Sequence, residues 1–267
     1  EKAGLGVSLF ERLIAAGVEV HMLAIQYRMH PHIAAFPSWR FYDSKLLTGV
    51  HPDMRPTVSS DYDLGTVAFV HVYGEEKGAK GHSKVNPEQA TCVRHLVESI
   101  NCELSDIGVI TPYSGQVSAI RQELRGVQDG ARVQVASVDG FQGSEKEVII
   151  LSLVRSNAQG DLGFVADWRR LNVSVTRAKR LLVVIGNLQT LFKNDMWRSF
   201  LGLAPEMRTF AWQNGGLMPL AAECQSFLQA AQHEISKLEV ELPKPAWSKT
   251  LLPLPPSLVL PDKGSPF

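Results

Sequence analysis

Apolar residues in this chain come in short runs, separated by segments in which they recur at helical spacing. Branched and aromatic residues cluster at 20–25, 66–73, 107–110, 133–138, 148–154 and 181–185, which predicts six strands. The runs at 148–154 and 181–185 are almost continuously apolar, as central strands covered on both faces are. His71 is the one strongly polar interruption in the 66–73 run. Between the runs, Ala90, Val93 and Val97 follow Asn86-Pro87-Glu88; Val117, Ile120 and Leu124 follow Ser114; and Leu171, Val175 and Ala178 follow Asp167. Each triplet lines one face of a helix, with Asn86, Ser114 and Asp167 as N-caps, Pro87 at a first helical position and Gly126 as a stop. Strands alternating with helices predict an α/β domain: a doubly wound, mainly parallel sheet with helices on both faces.

With 267 residues the chain can hold one sizeable core with appendages. The main domain is expected over 1–200. A helical extension is expected over 201–242, because apolar residues at 220, 224, 227, 228, 231, 235 and 238 form one buried stripe. Seven prolines between 243 and 266 preclude a helix or central strand, so 243–267 is read as an extended, disordered tail. The chain starts at Glu1 and runs at once into helix-forming residues 9–14, so it is read as part of a longer protein.

Composition adds little to this picture. Hydrophobic residues at 45% and charged residues at 20% describe an ordinary globular protein. Lys plus Arg and Asp plus Glu both total 27, so any contact with nucleic acid must come from local clusters. Cys92, Cys102 and Cys224 form neither a disulfide framework nor a paired zinc motif, and are read as reduced and intracellular. No apolar run approaches the roughly 18 residues of a membrane span, so no membrane association is expected.

Four segments carry candidate chemistry. Gln26-Tyr27-Arg28-Met29-His30-Pro31 follows a predicted strand and offers a ring that can stack on a base and a guanidinium that can grip phosphate. A buried tyrosine and a structural salt bridge would explain the same residues. Thr111-Pro112-Tyr113 ends a strand just before a helix, where hydroxyls and free amides meet phosphates; a turn fixed by Pro112 is the competing reading. In Ser137-Val138-Asp139-Gly140-Phe141-Gln142-Gly143-Ser144-Glu145-Lys146, the glycines permit close approach, Ser137 is placed to meet a phosphate and Glu145 a ribose hydroxyl, although a tight connection also accounts for two glycines. The stretch 169–180 is the densest in cations, and a solvated basic face is the plain reading of such a run.

Taken in order, these segments resemble the motifs of the second motor domain of superfamily 1 helicases, most closely the up-frameshift group of RNA helicases in nonsense-mediated decay. Ser8-Leu9-Phe10-Glu11-Arg12-Leu13 and Phe36-Pro37-Ser38 support the match, which covers about residues 1–200. Gly140 and Ser144 stand where relatives often have Ala and Arg, and Lys179 replaces a second Arg. The resemblance implies a RecA-like fold in which Tyr27 stacks on adenine, Glu145 meets the sugar, and Arg28 and Arg177 reach the γ-phosphate as the catalytic pair, with Gly143 beside the nucleotide. It places Thr111, Pro112, Tyr113, Ser137 and Val138 on the nucleic-acid backbone.

The phosphate-binding motif G-x-x-x-x-G-K-[ST] and an acidic magnesium-binding box are absent from the sequence. ATP with Mg2+ is therefore expected to need a preceding RecA-like domain that holds the metal, and no metal ligand is assigned in this chain. The resemblance implies a cytoplasmic ATP-dependent helicase acting on single-stranded RNA, with decay factors as further partners. A helicase directed at DNA, a non-catalytic nucleic-acid-binding module and a scaffold working through the proline-rich tail are the alternatives.

Overall fold

A computed structural model describes residues 7–204 and 206–238; the stretch 243–267 and its expected extended conformation lie outside the described residues. In chain order the elements are α1 (Leu9–Ala15), β1 (Ile25–Gln26), α2 (Pro31–Tyr42), β2 (Leu47–Thr48), β3 (Val67–Val72), β4 (Lys77–Gly78), β5 (Lys84–Val85), α3 (Pro87–Ser99), β6 (Ile107–Ile110), α4 (Ser114–Leu124), β7 (Gln134–Ala136), β8 (Lys146–Ser152), α5 (Trp168–Val175), β9 (Ala178–Gly186), α6 (Leu188–Phe192), α7 (Asp195–Leu203), β10 (Arg208–Gln213), β11 (Gly216–Pro219) and α8 (Ala222–Ser236). Seven strands make one sheet in the order β11-β10-β3-β9-β8-β6-β7. Among the described residues of this sheet, only the β10/β11 pair is antiparallel. The α/β, mainly parallel architecture expected from the sequence is the one observed.

Alternation along the strands divides the core into two layers. On one face Phe69, Ile110, Ile149, Leu151, Leu182 and Val184 meet Ile33 and Phe36 of α2, Leu171 of α5, Trp197 and Phe200 of α7 and Leu228 of α8. On the other, Val70, Val109, Ile150 and Val183 meet Val93 and Leu96 of α3 and Ile120 and Leu124 of α4. Because successive strand residues point to opposite faces, the near-continuous apolar runs serve both layers at once. Helices on both faces make the domain doubly wound.

Local signals fixed several boundaries. Asn86 caps α3 by accepting from the Gln89 N–H at 3.1 Å, and Asp167 caps α5 by accepting from Arg169 at 2.9 Å. Ser114 is not a cap: it is the first residue of α4, and the Gly115 N–H donates instead to the Ser83 hydroxyl at 2.9 Å. The strand expected at 20–25 shrinks to Ile25–Gln26, paired only with β2. Val20, Met22 and Leu23 are exposed, and no residue of α1 is buried, so this stretch has no packed face to order a ladder. The region expected as a helical extension includes β10 and β11, which add two strands to the main sheet, before α8 forms on the predicted stripe.

Candidate functional site

Two groups of the sequence-predicted residues lie at opposite ends of the parallel strands. The first gathers where β8 and β9 begin. Gln26 organises it: its side-chain carbonyl accepts from the backbone of Arg28 at 2.9 Å and Met29 at 2.7 Å, and its amide donates to the Met29 carbonyl and the Thr48 hydroxyl. The His30 N–H donates to the Lys179 carbonyl at 2.8 Å, fastening the segment to the start of β9. His30 also caps α2 through Nδ1, and burial, then the neighbouring His32, lowers its pKa to about 4, so it is neutral. Tyr27 is left 55% exposed, with one ring edge directly over Gly49. A ring this exposed, with bare main chain against one edge, leaves room for a flat group to stack on it.

Arg28 lies against Glu145, with Nε to Oε2 at 2.5 Å, and donates through Nη1 to the Thr176 carbonyl at 2.9 Å. Lys179 Nζ meets the other Glu145 oxygen at 3.2 Å. Burial alone would raise the Glu145 pKa, but Arg28 and Lys179 outweigh it and hold the carboxyl below its usual range. Arg177 donates to the carbonyls of Val173 at 2.9 Å and Ser144 at 3.4 Å, and burial, together with the like charge of Arg28, lowers its pKa. Three cations therefore share this corner with Glu145, and Glu147 takes part of Lys179 at 3.5 Å. Net positive charge in a partly buried corner favours a polyanion. Gly143, with φ +84° and open space around its Cα, lies in the turn just before Glu145. Among the described residues no group of three His, Cys, Asp or Glu side chains is placed to hold a metal ion.

The second group lies where β6 and β7 end. The Thr111 N–H donates to the Ala136 carbonyl at 3.2 Å, which sets Thr111 beside Ser137. Ser137 is half-buried and its hydroxyl accepts from the Gly140 N–H at 3.2 Å. Thr111 is fully enclosed and its hydroxyl has no partner among the described residues, so its cover must move before that oxygen can reach a phosphate. Tyr113 and Val138 are also buried, whereas Pro112 keeps part of its surface. Tyr113 donates to the Leu162 carbonyl at 3.4 Å, tying this edge to the loop after β8. The cation-rich stretch does not act as one face: Arg177 belongs to the first group, while Arg170 lies over the Phe164 ring at 5.0 Å near the second.

Sequence reasoning passed over three contributors. Gly49 has an unremarkable backbone, and nothing in its neighbours announces that Tyr27 will lie on it. Lys179 was noticed only as a departure from a motif, yet it shares Glu145 with Arg28. Glu76 and Arg155 form a nearly buried ion pair at 2.8 Å from segments 79 residues apart, a contact that only the fold creates.

A profile of the AAA domain family matches residues 5–189. Over 213 residues the chain is 41% identical to the regulator of nonsense transcripts 1 homolog of Neurospora crassa, covering 75% of this chain and 20% of that protein. It is 42% identical over 212 residues to the ATP-dependent helicase NAM7 of Saccharomyces cerevisiae, covering 74% and 22%. It is 34% identical over 276 residues to the probable helicase MAGATAMA 3 of Arabidopsis thaliana, covering 96% and 32%. The chain thus spans between about a fifth and a third of the length of these relatives.

Proposed function

We propose, from the premise that this chain belongs to the AAA domain family, that it is the second, RecA-like motor domain of an ATP-dependent RNA helicase of the up-frameshift type. The observation that carries the proposal is the corner at the start of β8 and β9, where Arg28, Arg177 and Lys179 surround Glu145 beside the exposed Tyr27 ring. Adenine stacks on Tyr27, and Glu145 turns from Arg28 to a ribose hydroxyl. Gly143 lets the turn approach the nucleotide without a side chain in the way. Freed of its carboxylate, Arg28 joins Arg177 in facing the γ-phosphate, where two guanidinium groups stabilise the charge of the transferring phosphoryl group. A preceding RecA-like domain supplies the remaining phosphate contacts and the Mg2+ ligands.

At the other edge, Pro112, Ser137 and Val138 present a surface to the backbone of single-stranded RNA, with the enclosed Thr111 and Tyr113 reached only when their cover moves. Backbone contacts alone do not separate RNA from DNA, and RNA is chosen on the similarity to helicases of nonsense transcripts. The same similarity favours a cytoplasmic protein with decay factors as partners.

The decisive experiment is Arg177→Ala in the intact helicase. ATP turnover should fall by at least ~10³-fold, the lower end for an arginine finger. RNA binding without nucleotide should persist, because the proposed RNA contacts lie elsewhere. Turnover within about tenfold of wild type, a loss of only ~1.4 kcal/mol, would reject the finger.

A further inference from the structure

The loop between β8 and α5 is built to hold one aromatic ring in water. Val154 is fully buried at φ +69°, a conformation that a β-branched residue adopts only when its surroundings impose it. The surroundings are specific: the Val154 N–H donates to Gln89 Oε1 at 2.8 Å, and Asn86 Nδ2 donates to the Val154 carbonyl at 3.2 Å. Arg155, 4% exposed, then turns inward to Glu76 at 2.8 Å and Asp161 at 2.9 Å. Glu76 also accepts from Lys84, Ser156 and Asn157, which closes the frame. Gly163 has φ +51°, and a Cβ there would stand 2.6 Å from Arg155 Nη1 and 3.1 Å from the Tyr113 hydroxyl.

What this frame delivers is Phe164, 54% exposed. Its ring meets Tyr113 edge to face at 5.9 Å, and the Arg170 guanidinium lies 5.0 Å from its centroid. Arg170 also reaches Asp139 at 3.6 Å, so it bridges this loop and the one after β7. A shallow, mainly apolar slot of about 20 Å³, room for a single water, lies beside the ring, lined by Pro112, Val138, Phe164, Asp167, Arg170 and Leu171. Buried ions and a strained valine are a large outlay for a loop whose product is an exposed phenylalanine. Such a ring, next to a guanidinium and an apolar slot, matches one ligand chemistry well: a flat heterocycle on a polyanionic backbone.

We infer, resting on the reading of this edge as a single-strand interface, that one base of the bound strand lies across the mouth of this slot, stacked on the exposed part of Phe164 beside Arg170. Pro112 and Val138 belong both to the proposed backbone contacts and to the slot wall, so a base turned inward from that backbone reaches its mouth directly. Stacking is sequence-tolerant because every base has a π face. Phe164 is accordingly a binding residue, whereas Glu76, Arg155 and Gly163 position it.

The test is binding of a labelled oligouridine to the intact helicase without nucleotide. Phe164→Ala should weaken binding about 5- to 150-fold, the range for one stacked base. Phe164→Leu, which keeps apolar packing but has no π face, should lose nearly as much, and Phe164→Tyr should bind like wild type. Because no phosphate contact is removed, the dependence of log affinity on log salt should not change. In an oligouridine scanned with single abasic positions, one position should weaken wild type as much as Phe164→Ala does and should cost the variant nothing further. Wild-type affinity in Phe164→Ala and Phe164→Leu, or a loss accompanied by a shallower salt slope, overturns the base slot while leaving the interface intact. A wild-type protein that does not bind the oligouridine overturns the single-strand reading itself.

Discussion

Replacing Gly49 by alanine tests the adenine platform without touching the residue that forms it. The Gly49 backbone is not left-handed, and its N–H donates to the Gln26 carbonyl at 2.8 Å, so alanine is compatible with the local chain. Its Cβ, however, would stand 2.2 Å from Cε1 and 2.6 Å from Cδ1 of Tyr27. Carbon atoms in contact sit about 3.5 Å apart, so the ring must withdraw by more than about 1 Å. It can do so into solvent, since Tyr27 is already 55% exposed, and the melting temperature should hardly move. What is lost is the position of the platform, worth about 1–3 kcal/mol by comparison with other base–aromatic stacks. That corresponds to roughly 5- to 150-fold in the nucleotide dissociation constant. Titration of the intact helicase with a fluorescent ATP analogue reads this directly, and turnover at saturating ATP should change less, because stacking is present before and during the reaction. Tyr27→Ala should give a similar loss, and the double variant should be no worse than Tyr27→Ala, since both remove one contact. Unchanged affinity in Gly49→Ala, or additive losses in the double variant, would refute the platform.

Three other outcomes follow from the same geometry. The purified chain, lacking half of the proposed phosphate contacts, should show no RNA-stimulated ATP hydrolysis, and turnover proportional to its concentration would contradict the reading of the site. Glu76→Ala strands the Arg155 charge in a nearly closed site and should destabilise the domain by about 3 kcal/mol in urea unfolding, the lower end for a broken buried pair because Asp161 remains. Burial would raise the Glu76 pKa, but Arg155, Lys84 and the loop donors lower it from 4.5 to about 2; its stabilisation is therefore complete above the unfolded carboxylate range and is lost as pH falls toward 2, a loss absent from Glu76→Ala. Gly163→Ala, crowding Arg155 and the Tyr113 hydroxyl, should weaken oligouridine binding toward the level of Phe164→Ala, and wild-type binding would show that the loop does not position the ring.

How far the sequence could be read depended on whether its signals were local. The central strands were legible because burial on both faces demands continuous apolar runs, and the caps at Asn86 and Asp167 because the capping side chain is two or three residues from the amide it serves. The β8 boundary was misplaced by two residues because Leu153 and Val154 look like strand, while the Val154 backbone has turned to positive φ. The β10/β11 hairpin was missed although its signal was present. Asn214-Gly215 follows the short apolar run Phe210-Ala211-Trp212, and both residues have positive φ, as a tight two-residue hairpin turn requires. The strand at 20–25 fails for the opposite reason, since periodicity shows which face a segment offers but not whether any sheet lies against it. The parts played by Gly49, Lys179 and the Glu76–Arg155 pair had no local signal; each matters only because the fold brings a distant segment to it.

The arrangement also constrains how the two proposed ligands can influence each other. Glu145 immediately precedes β8 and Val154 lies just beyond its end, so the nucleotide corner and the base slot are separated by the length of a seven-residue strand, roughly 20 Å. Val148 through Leu151 are almost completely buried and are paired on both sides, by β6 and by β9. A strand so enclosed does not stretch or slip to carry a signal, because a one-residue slip would move every side chain to the wrong layer. Nucleotide state must therefore reach the strand-binding edge through displacement of the whole domain as one body against its neighbour, or through loops outside the ladder. The loop from Ser137 to Glu145 meets both edges without being part of the sheet, as does the stretch from Phe164 through α5 to Arg177, and Arg177 touches that loop through the Ser144 carbonyl. A guanidinium drawn toward a γ-phosphate gives up that contact, and the loop that carries Ser137 at its other end is the first to feel it.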